Sequence, residues 1–408
     1  MATLTTTADK EVIGLEARYL LQNYGRYPLV LHRGDGPRIW DVNEKPYLDF
    51  ISGIGVNALG HNHPSITRVI EQQARLLIHS SNLYYHEYQG PLAKRLSEVS
   101  GLQRSFFCNS GTEAMEGAIK MIRSHGSHRS QEKYEIISLE NSFHGRTCGA
   151  LSITGQPKYR KDFEPLLPGA RFVTANDFDQ LEAAFSERTA GIVIEWIQGE
   201  GGIFPITPEY GRRARELADK FDALLVFDEI QCGVGRAGTY FGYQLAEPAV
   251  MPDIMVAAKP LACGLPLGVL TTNERAAASI TAGMHGSTFG GSALGCRVAL
   301  EFFDILDDLM PQIRRVGDYF RAQLRKLASK HPCITEVRGT GLMIGAQLDK
   351  PGKQIVLDAM EQGLLINCTH DTVLRMLPPY ILTEQEVDRA IAGLKKVFAG
   401  VSVSGKEK

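Results

Sequence analysis

The sequence is poor in what would mark it for a membrane, a metal or a nucleic acid. No uninterrupted apolar run is long enough to span a bilayer. The first residues lack a basic stretch followed by an apolar one, and Asp9, Glu11 and Glu16 come too early for an organelle transit peptide. The formal net charge is -2, so no overall field favours nucleic acid or a membrane surface, although a small anion can still be bound locally. There are seven cysteines, an odd number, widely spaced and without a CxxC pair. That argues against a disulfide framework or a zinc site, leaves no metal expected, and points to the reducing cytoplasm. The Asn367-Cys368-Thr369 sequon is read as fortuitous in that compartment. No fixed-period repeat or low-complexity tract appears. Val401 to Lys408 is polar and reads as a frayed end.

What is there is ordinary in amount and ordered in arrangement. The chain has 408 residues, 44% hydrophobic and 22% charged, room for two domains around a substantial core. Short β-branched or aromatic runs recur at Ser105–Cys108, Tyr134–Leu139, Ala170–Thr174, Gly191–Ile197, Ala223–Phe227, Ile254–Ala257 and Gly268–Thr272. Helical patterns such as Glu113–Ser124 and Gly211–Phe221 lie between several of them. The alternation predicts an α/β fold with a largely parallel sheet covered by helices. The C-terminal third reads as two long helices, Ala299–Leu306 and Gly317–Ser329, then a strand Thr335–Val337, a glycine-rich turn Arg338–Gly341, a strand Met343–Leu348 and a helix Glu384–Phe398. The Pro28–Phe50 region has strand character and is expected to pack with this smaller α/β domain. The expected division is residues 1–70 as an N-terminal segment, 71–300 as a large domain and 301–408 as a small one.

Ligands of such sheets sit beyond the carboxyl ends of the strands, and four post-strand segments carry chemistry there. In Asn109-Ser110-Gly111-Thr112-Glu113 a strand meets small residues and a helix start, a place suited to phosphate. Asp228 ends an apolar run, where a buried carboxylate needs a cationic or hydrogen-bonding partner. Lys259 follows the next apolar run, and burial there would make its amine nucleophilic. His285–Ser292 gathers glycines and hydroxyls. Taken singly, each also reads as ordinary structure: an N-cap, an ion-paired aspartate, a lysine snorkelling at a strand end, a polar turn. Together and in this order they meet the needs of pyridoxal phosphate: a phosphate anchor, a partner for the pyridinium N–H and a lysine for its aldehyde.

At this point the chain resembles the class III aminotransferases of fold type I, from Tyr24 to about Ala399. The resemblance rests on FFCNSGTEAMEGAIK, NSFHGRT, QGEGG, VFDEIQCGVGRAG, AAKPLACGLPLG and HGSTFGGS. It implies a large domain with a mainly parallel central sheet, a smaller α/β domain and pyridoxal 5'-phosphate as cofactor. It further implies that Ser110, Gly111 and Thr112 hold the phosphate and that Phe143 and Ile230 sandwich the ring. His144 joins the cofactor residues, Asp228 pairs with the ring nitrogen, Gln231 approaches the phenolic oxygen and Lys259 is the Schiff-base lysine and proton shuttle. Thr288 would reach the phosphate of a neighbouring subunit, so the working unit is a homodimer with shared active sites.

The resemblance also implies substrates. SGIGVNALGHNHP, HSSNLYYHEYQGPLAKRL and NCTHDTVLRMLPPYILT are similar to the members that act on acetylornithine. Arg146 would hold the carboxylate distant from the reacting carbon, and Arg375 the one beside it. Glu200 would mask Arg375 while the donor, which has no carboxylate at its reacting CH₂, is bound, and swing away for 2-oxoglutarate. Ile54 stands where ornithine aminotransferases have a tyrosine, which fits an acylated donor or 4-aminobutyrate, and Ser287 and the stretch from Asn82 line the acyl side. Succinylornithine, ornithine and 4-aminobutyrate are the alternative donors. Glutamate-1-semialdehyde mutase chemistry and a catalytically dead binding protein are the more distant readings. The chain departs from the family at Met115, at Ser292-Ala293 and at Pro260, which is expected to hold Lys259 in extended backbone.

Overall fold

The computed structural model describes residues 7–404. Of the polar end, 401–404 continue the last helix, Glu384–Ser404, and 405–408 lie outside the described residues. The central sheet has seven strands, in spatial order Arg104–Cys108, Gly268–Thr272, Ile254–Ala257, Leu224–Asp228, Thr189–Ile194, Glu135–Leu139 and Ala170–Val173. All run parallel except Gly268–Thr272, which is antiparallel to both neighbours. The middle strands are buried along their whole length because helices cover both faces. The expected run Gly191–Ile197 is broken. The strand ends at Ile194, and Ile197–Gln198 pairs instead with Phe204–Pro205. Glu195 sits at the break, because its carboxylate is taken up by main-chain N–H groups of two loops.

Two corrections apply further along. The two helices expected between 299 and 329 are one, Ala293–Ala328, with Pro311 inside it. A proline inside a helix costs roughly 3 kcal/mol. Here Val298, Phe302, Leu306, Ile313, Phe320, Leu324 and Leu327 bury one face at helical spacing, and each large apolar side chain buried returns about 1.5–3 kcal/mol. The expected turn Arg338–Gly341 is largely strand, since Ile334–Thr340 pairs through Thr340 with Met343–Leu348. These two strands form an antiparallel sheet with Val373–Met376 and Asn367–Thr369. A third sheet joins Leu31–Asp35, Arg38–Asp41 and Pro46–Asp49 to Leu364–Leu365, tying the N-terminal segment to the C-terminal third. No described helix is long and apolar enough to cross a membrane.

Candidate active site

The carboxyl ends of the Leu224–Asp228 and Ile254–Ala257 strands open onto a cavity of about 370 Å³. Period-two alternation splits the acidic pair that follows the first strand. Asp228 lines the cavity, 3% exposed, with His144 Nδ1 at 2.7 Å from its Oδ2 and the Ile230 N–H donating to Oδ1 at 3.1 Å. Ser138 Oγ lies 3.2 Å from His144 Nε2, so the imidazole is held from both sides. Glu229 turns away into the core, where it accepts from the Gly242 and Tyr243 N–H groups and burial pushes its pKa up to about 7.

Lys259 lies on the cavity wall. Burial lowers its pKa, an effect opposed by the carboxylates of Asp228 and Glu200 and helped by Arg375. Its backbone corrects the expectation set by Pro260. The lysine heads a short 3₁₀ turn, Lys259–Ala262, with φ +40°, rather than an extended segment. A residue before proline is steered to extended conformations, so this left-handed φ costs on the order of 1–3 kcal/mol. The fully buried strand before it and the buried Pro260, Leu261 and Ala262 after it hold it there.

The helix Gly111–Ser127 begins on the same cavity. Ser110 Oγ accepts from the Glu113 N–H at 3.3 Å, and Glu113 in turn accepts from the Asn109 N–H at 2.7 Å. That reciprocal cap leaves the N–H groups at the helix start aimed at the cavity. Gly111 is required for space: a Cβ there would lie 2.6 Å from Ile230 Cδ1. Thr112 Oγ1 is 2.9 Å from Thr147 Oγ1. Phe143 lies edge-on to Tyr159, with ring centroids 5.9 Å apart, and the exposed guanidinium of Arg146 stacks on Tyr159 at 4.1 Å.

Arg375, on the Val373–Met376 strand, is 2% exposed. Its Nη1 donates to Glu200 Oε1 at 2.5 Å and to Gln231 Oε1 at 3.1 Å, and its Nε to Asn367 Oδ1 at 3.2 Å. Burial alone would raise the Glu200 pKa, but the guanidinium outweighs it and holds the carboxylate ionised.

The cavity therefore brings together Ser110, Gly111, Thr112, Phe143, His144, Arg146, Glu200, Asp228, Ile230, Gln231 and Lys259. Arg375 joins them through Glu200 and Gln231. Ile54 does not line it, although its neighbour Val56 does; Ile54 is exposed in a left-handed turn with φ +63°. Asn82 and Ser287 line a separate cavity of about 590 Å³, where Asn82 Nδ2 donates to the Gly290 carbonyl at 2.9 Å, and Thr288 is exposed beside it. One residue of the site was missed from the sequence. Glu195 is buried and accepts from the Phe143 N–H and the Gly199 N–H, both at 3.1 Å. It thereby joins the Phe143 loop to the turn that carries Glu200. Burial and the neighbouring negative Asp228 raise its pKa, and His144 opposes them. Its only signal in the sequence was a carboxylate inside an apolar run.

The donor set fits pyridoxal phosphate: a helix start with room made by a glycine, a buried carboxylate for a ring N–H, an aromatic side chain and a desolvated lysine around one cavity. The Aminotransferase class-III family model matches residues 19–398, and the chain belongs to that family. The acetylornithine aminotransferase of Methanocaldococcus jannaschii is 46% identical over 392 residues, 95% of this chain and 98% of that one. That of Aquifex aeolicus is 44% identical over 93% of this chain and all of its own length. Among solved structures, the ornithine aminotransferase of Toxoplasma gondii superposes with a TM-score of 0.93 at 32% identity, covering 98% of this chain and 97% of that one. The N-acetylornithine aminotransferase of Stenotrophomonas maltophilia gives 0.83 at 34% identity, covering 96% of this chain and all of that one.

Proposed function

We propose that this enzyme moves the terminal amino group of N-acetylornithine to 2-oxoglutarate, giving N-acetylglutamate semialdehyde and glutamate, a step of arginine biosynthesis. The observation that carries the reading is the ion pair at 2.5 Å between the half-buried Glu200 and the buried Arg375, beside Lys259. A site that must accept first a CH₂–NH₂ end and then a carbon bearing a carboxylate needs a cation that can be covered and uncovered. The relatives named for acetylornithine, at 44–46% identity over almost the whole chain, support the same donor.

When bound, pyridoxal phosphate supplies an aldehyde for the amine and a ring that withdraws electrons from the reacting carbon. Gly111, Thr112 and the helix start would hold its phosphate, Phe143 and Ile230 would flank its ring, and Asp228, oriented by His144, would keep a proton on the ring nitrogen. Lys259 Nζ would take the proton from the substrate carbon and hold it for return, work suited to an amine whose pKa burial has lowered. Arg146 reads the distant carboxylate of either substrate, and Arg375 the near one of the 2-oxo acid.

A second copy of the chain completes the site in this reading. Leu83, Tyr84, Tyr85 and Phe289 are exposed around Thr288, an apolar face that a homodimer would cover while delivering Thr288 to the neighbour's phosphate position. The division at residues 70 and 300 goes with it as a proposal, the long helix running through the second boundary. Cytoplasmic location accords with seven free thiols.

The test is a panel of half-reactions. Cofactor-loaded enzyme is mixed with acetylornithine, succinylornithine, ornithine and 4-aminobutyrate, and the spectral change is followed. Acetylornithine is expected to react fastest; a faster ornithine or 4-aminobutyrate reaction would assign the donor otherwise. Turnover without any 2-oxo acid would indicate mutase chemistry, and failure to take up cofactor a non-catalytic protein.

A further inference from the structure

Asn367-Cys368-Thr369 had no role as a sequon, yet it lies against the Glu200–Arg375 pair. Its residues form the edge strand opposite Val373–Met376, with Asn367 paired to Arg375 and Thr369 to Val373. Period two puts Asn367 and Thr369 on the face that carries Arg375. Asn367 anchors the Nε of the arginine, while Nη1 is shared between Glu200 and Gln231. Thr369 is buried, and its hydroxyl meets two acceptors of one residue: the Glu200 carbonyl at 2.7 Å and Glu200 Oε2 at 3.3 Å.

The turn around Glu200 is pinned elsewhere too. Arg338 Nε donates to the Gly202 carbonyl at 2.9 Å, and the Gly199 N–H donates to Glu195. A Cβ on Gly202 would meet Val373 Cγ2 at 3.1 Å, so the turn sits close on the small sheet. With carbonyls 200 and 202 both held, displacement of the carboxylate from Arg375 is a rotation of the Glu200 side chain rather than a movement of the turn.

We propose that Thr369 is a positioning residue for this gate, holding the Glu200 main chain as a pivot and lending its hydroxyl to the carboxylate in the covering position. The proposal rests on the reading of Glu200 as the cover of Arg375. The hydroxyl has one proton to share. The covered state therefore gains a contact to Oε2 that the uncovered state lacks, while the carbonyl contact persists in both. Removing the hydroxyl biases the site toward dicarboxylates and against donors with a bare CH₂–NH₂ end.

Thr369→Val removes the hydroxyl at constant shape, Thr369→Ser keeps it, Thr369→Ala guards against misfitting of the valine, and Glu200→Ala is the reference. Single-turnover rates are measured for acetylornithine and for glutamate, and the dissociation constant of glutarate, an unreactive five-carbon dicarboxylate, by calorimetry. The Val and Ala variants are expected to slow the acetylornithine half-reaction about three- to tenfold, the scale of one ordinary hydrogen bond, as befits a shared proton with Oε2 at 3.3 Å. The glutamate half-reaction should stay within about twofold, and glutarate should bind several-fold tighter. The Ser variant should return all three to wild type, and Glu200→Ala should shift them in the same direction and further. Wild-type behaviour of the Val and Ala variants alongside a discriminating Glu200→Ala overturns the pivot and leaves the gate standing. Equal slowing of both halves by the threonine variants, with unchanged glutarate binding, makes Thr369 merely structural and also overturns it. Equal slowing of both halves by Glu200→Ala removes the gate, and the pivot with it.

Discussion

Gly111→Ala tests how closely the helix start is meant to approach the cofactor. The added Cβ would lie 2.6, 2.9 and 3.0 Å from Cδ1, Cγ1 and Cγ2 of Ile230. Carbon atoms rest at about 3.5–4.0 Å, so three contacts are short by roughly 0.5–1 Å each. Forcing an extra methyl into a packed site costs about 1–3 kcal/mol. Ile230 is stiff at χ1 and borders the cavity, so it relieves the overlap by moving into the slot where a ring would lie. The cost then divides between the fold and the cofactor. Thermal melting of the cofactor-free protein is expected to fall by a few degrees, and pyridoxal phosphate, titrated by absorbance, to bind about tenfold or more weakly, since 1.4 kcal/mol is a factor of ten. Gly111→Ala/Ile230→Ala removes the collision, so the pair should be non-additive by at least about 1 kcal/mol. An alanine variant with wild-type melting and cofactor affinity, or strict additivity in the cycle, refutes the steric account and leaves Gly111 as an ordinary helix start.

Glu195→Gln turns one of the two side-chain oxygens that accept from main-chain N–H groups into a donor facing an N–H, and leaving that group unpaired costs about 1–3 kcal/mol; lower melting and weaker cofactor retention together are expected, and loss of neither dissociates Glu195 from the Phe143 loop. Arg375→Lys gives up the forked geometry, so the KM for 2-oxoglutarate should rise more than about tenfold with that for the amine donor within threefold in steady-state kinetics. Asp228→Asn should leave the fold intact, as judged by melting, and reduce turnover by several orders of magnitude, because an amide cannot hold the ring proton; near-normal turnover contradicts its assignment. Asp222 is held at a pKa of about 2, its burial outweighed by hydrogen bonds from Arg129 and Arg275. A depressed carboxylate pKa stabilises the fold above the ordinary value near 3.8 and loses that contribution as the pH falls toward about 2. The melting difference between wild type and Asp222→Asn should therefore be constant above pH 4 and shrink below it.

Much of the site was legible because its residues follow apolar runs. A Lys or Asp just past a stretch such as Leu224–Phe227 or Ile254–Ala257 has few places to point except the sheet edge. Direction was not legible. The run Gly268–Thr272 reads like its neighbours, and only tertiary pairing makes it antiparallel. The gap expected between Ala299–Leu306 and Gly317–Ser329 spans Pro311, and the cost of a proline is local, whereas the packing that outweighs it is spread over some thirty residues. The Lys259 backbone was misjudged for the same reason: the proline preference is local, and the contacts that override it come from the surrounding core. Glu195 was hidden because its partners, Phe143 and Gly199, are 52 and 4 residues away and offer only main-chain N–H groups.

The helix Ala293–Ala328 gives the enzyme a long lever. At 36 residues it extends for about 54 Å. Its first turn is fixed by Ser292, where Oγ accepts from the Gly295 N–H, close to the Lys259 side of the molecule through Leu267. Further along, Gly317 sits so near Gly341 that a Cβ would come within 2.1 Å of its carbonyl oxygen, and Arg321 donates to that same oxygen at 2.9 Å. Gly341 joins the two strands whose sheet carries Arg375. A tilt of about 5° at one end of a rod of this length moves the other by roughly 5 Å. Substitutions at Gly317 or Arg321 are therefore expected to reach Arg375, the arginine proposed to read a carboxylate, without touching any residue of the cavity, which would extend the effective perimeter of the site to the far end of the rod.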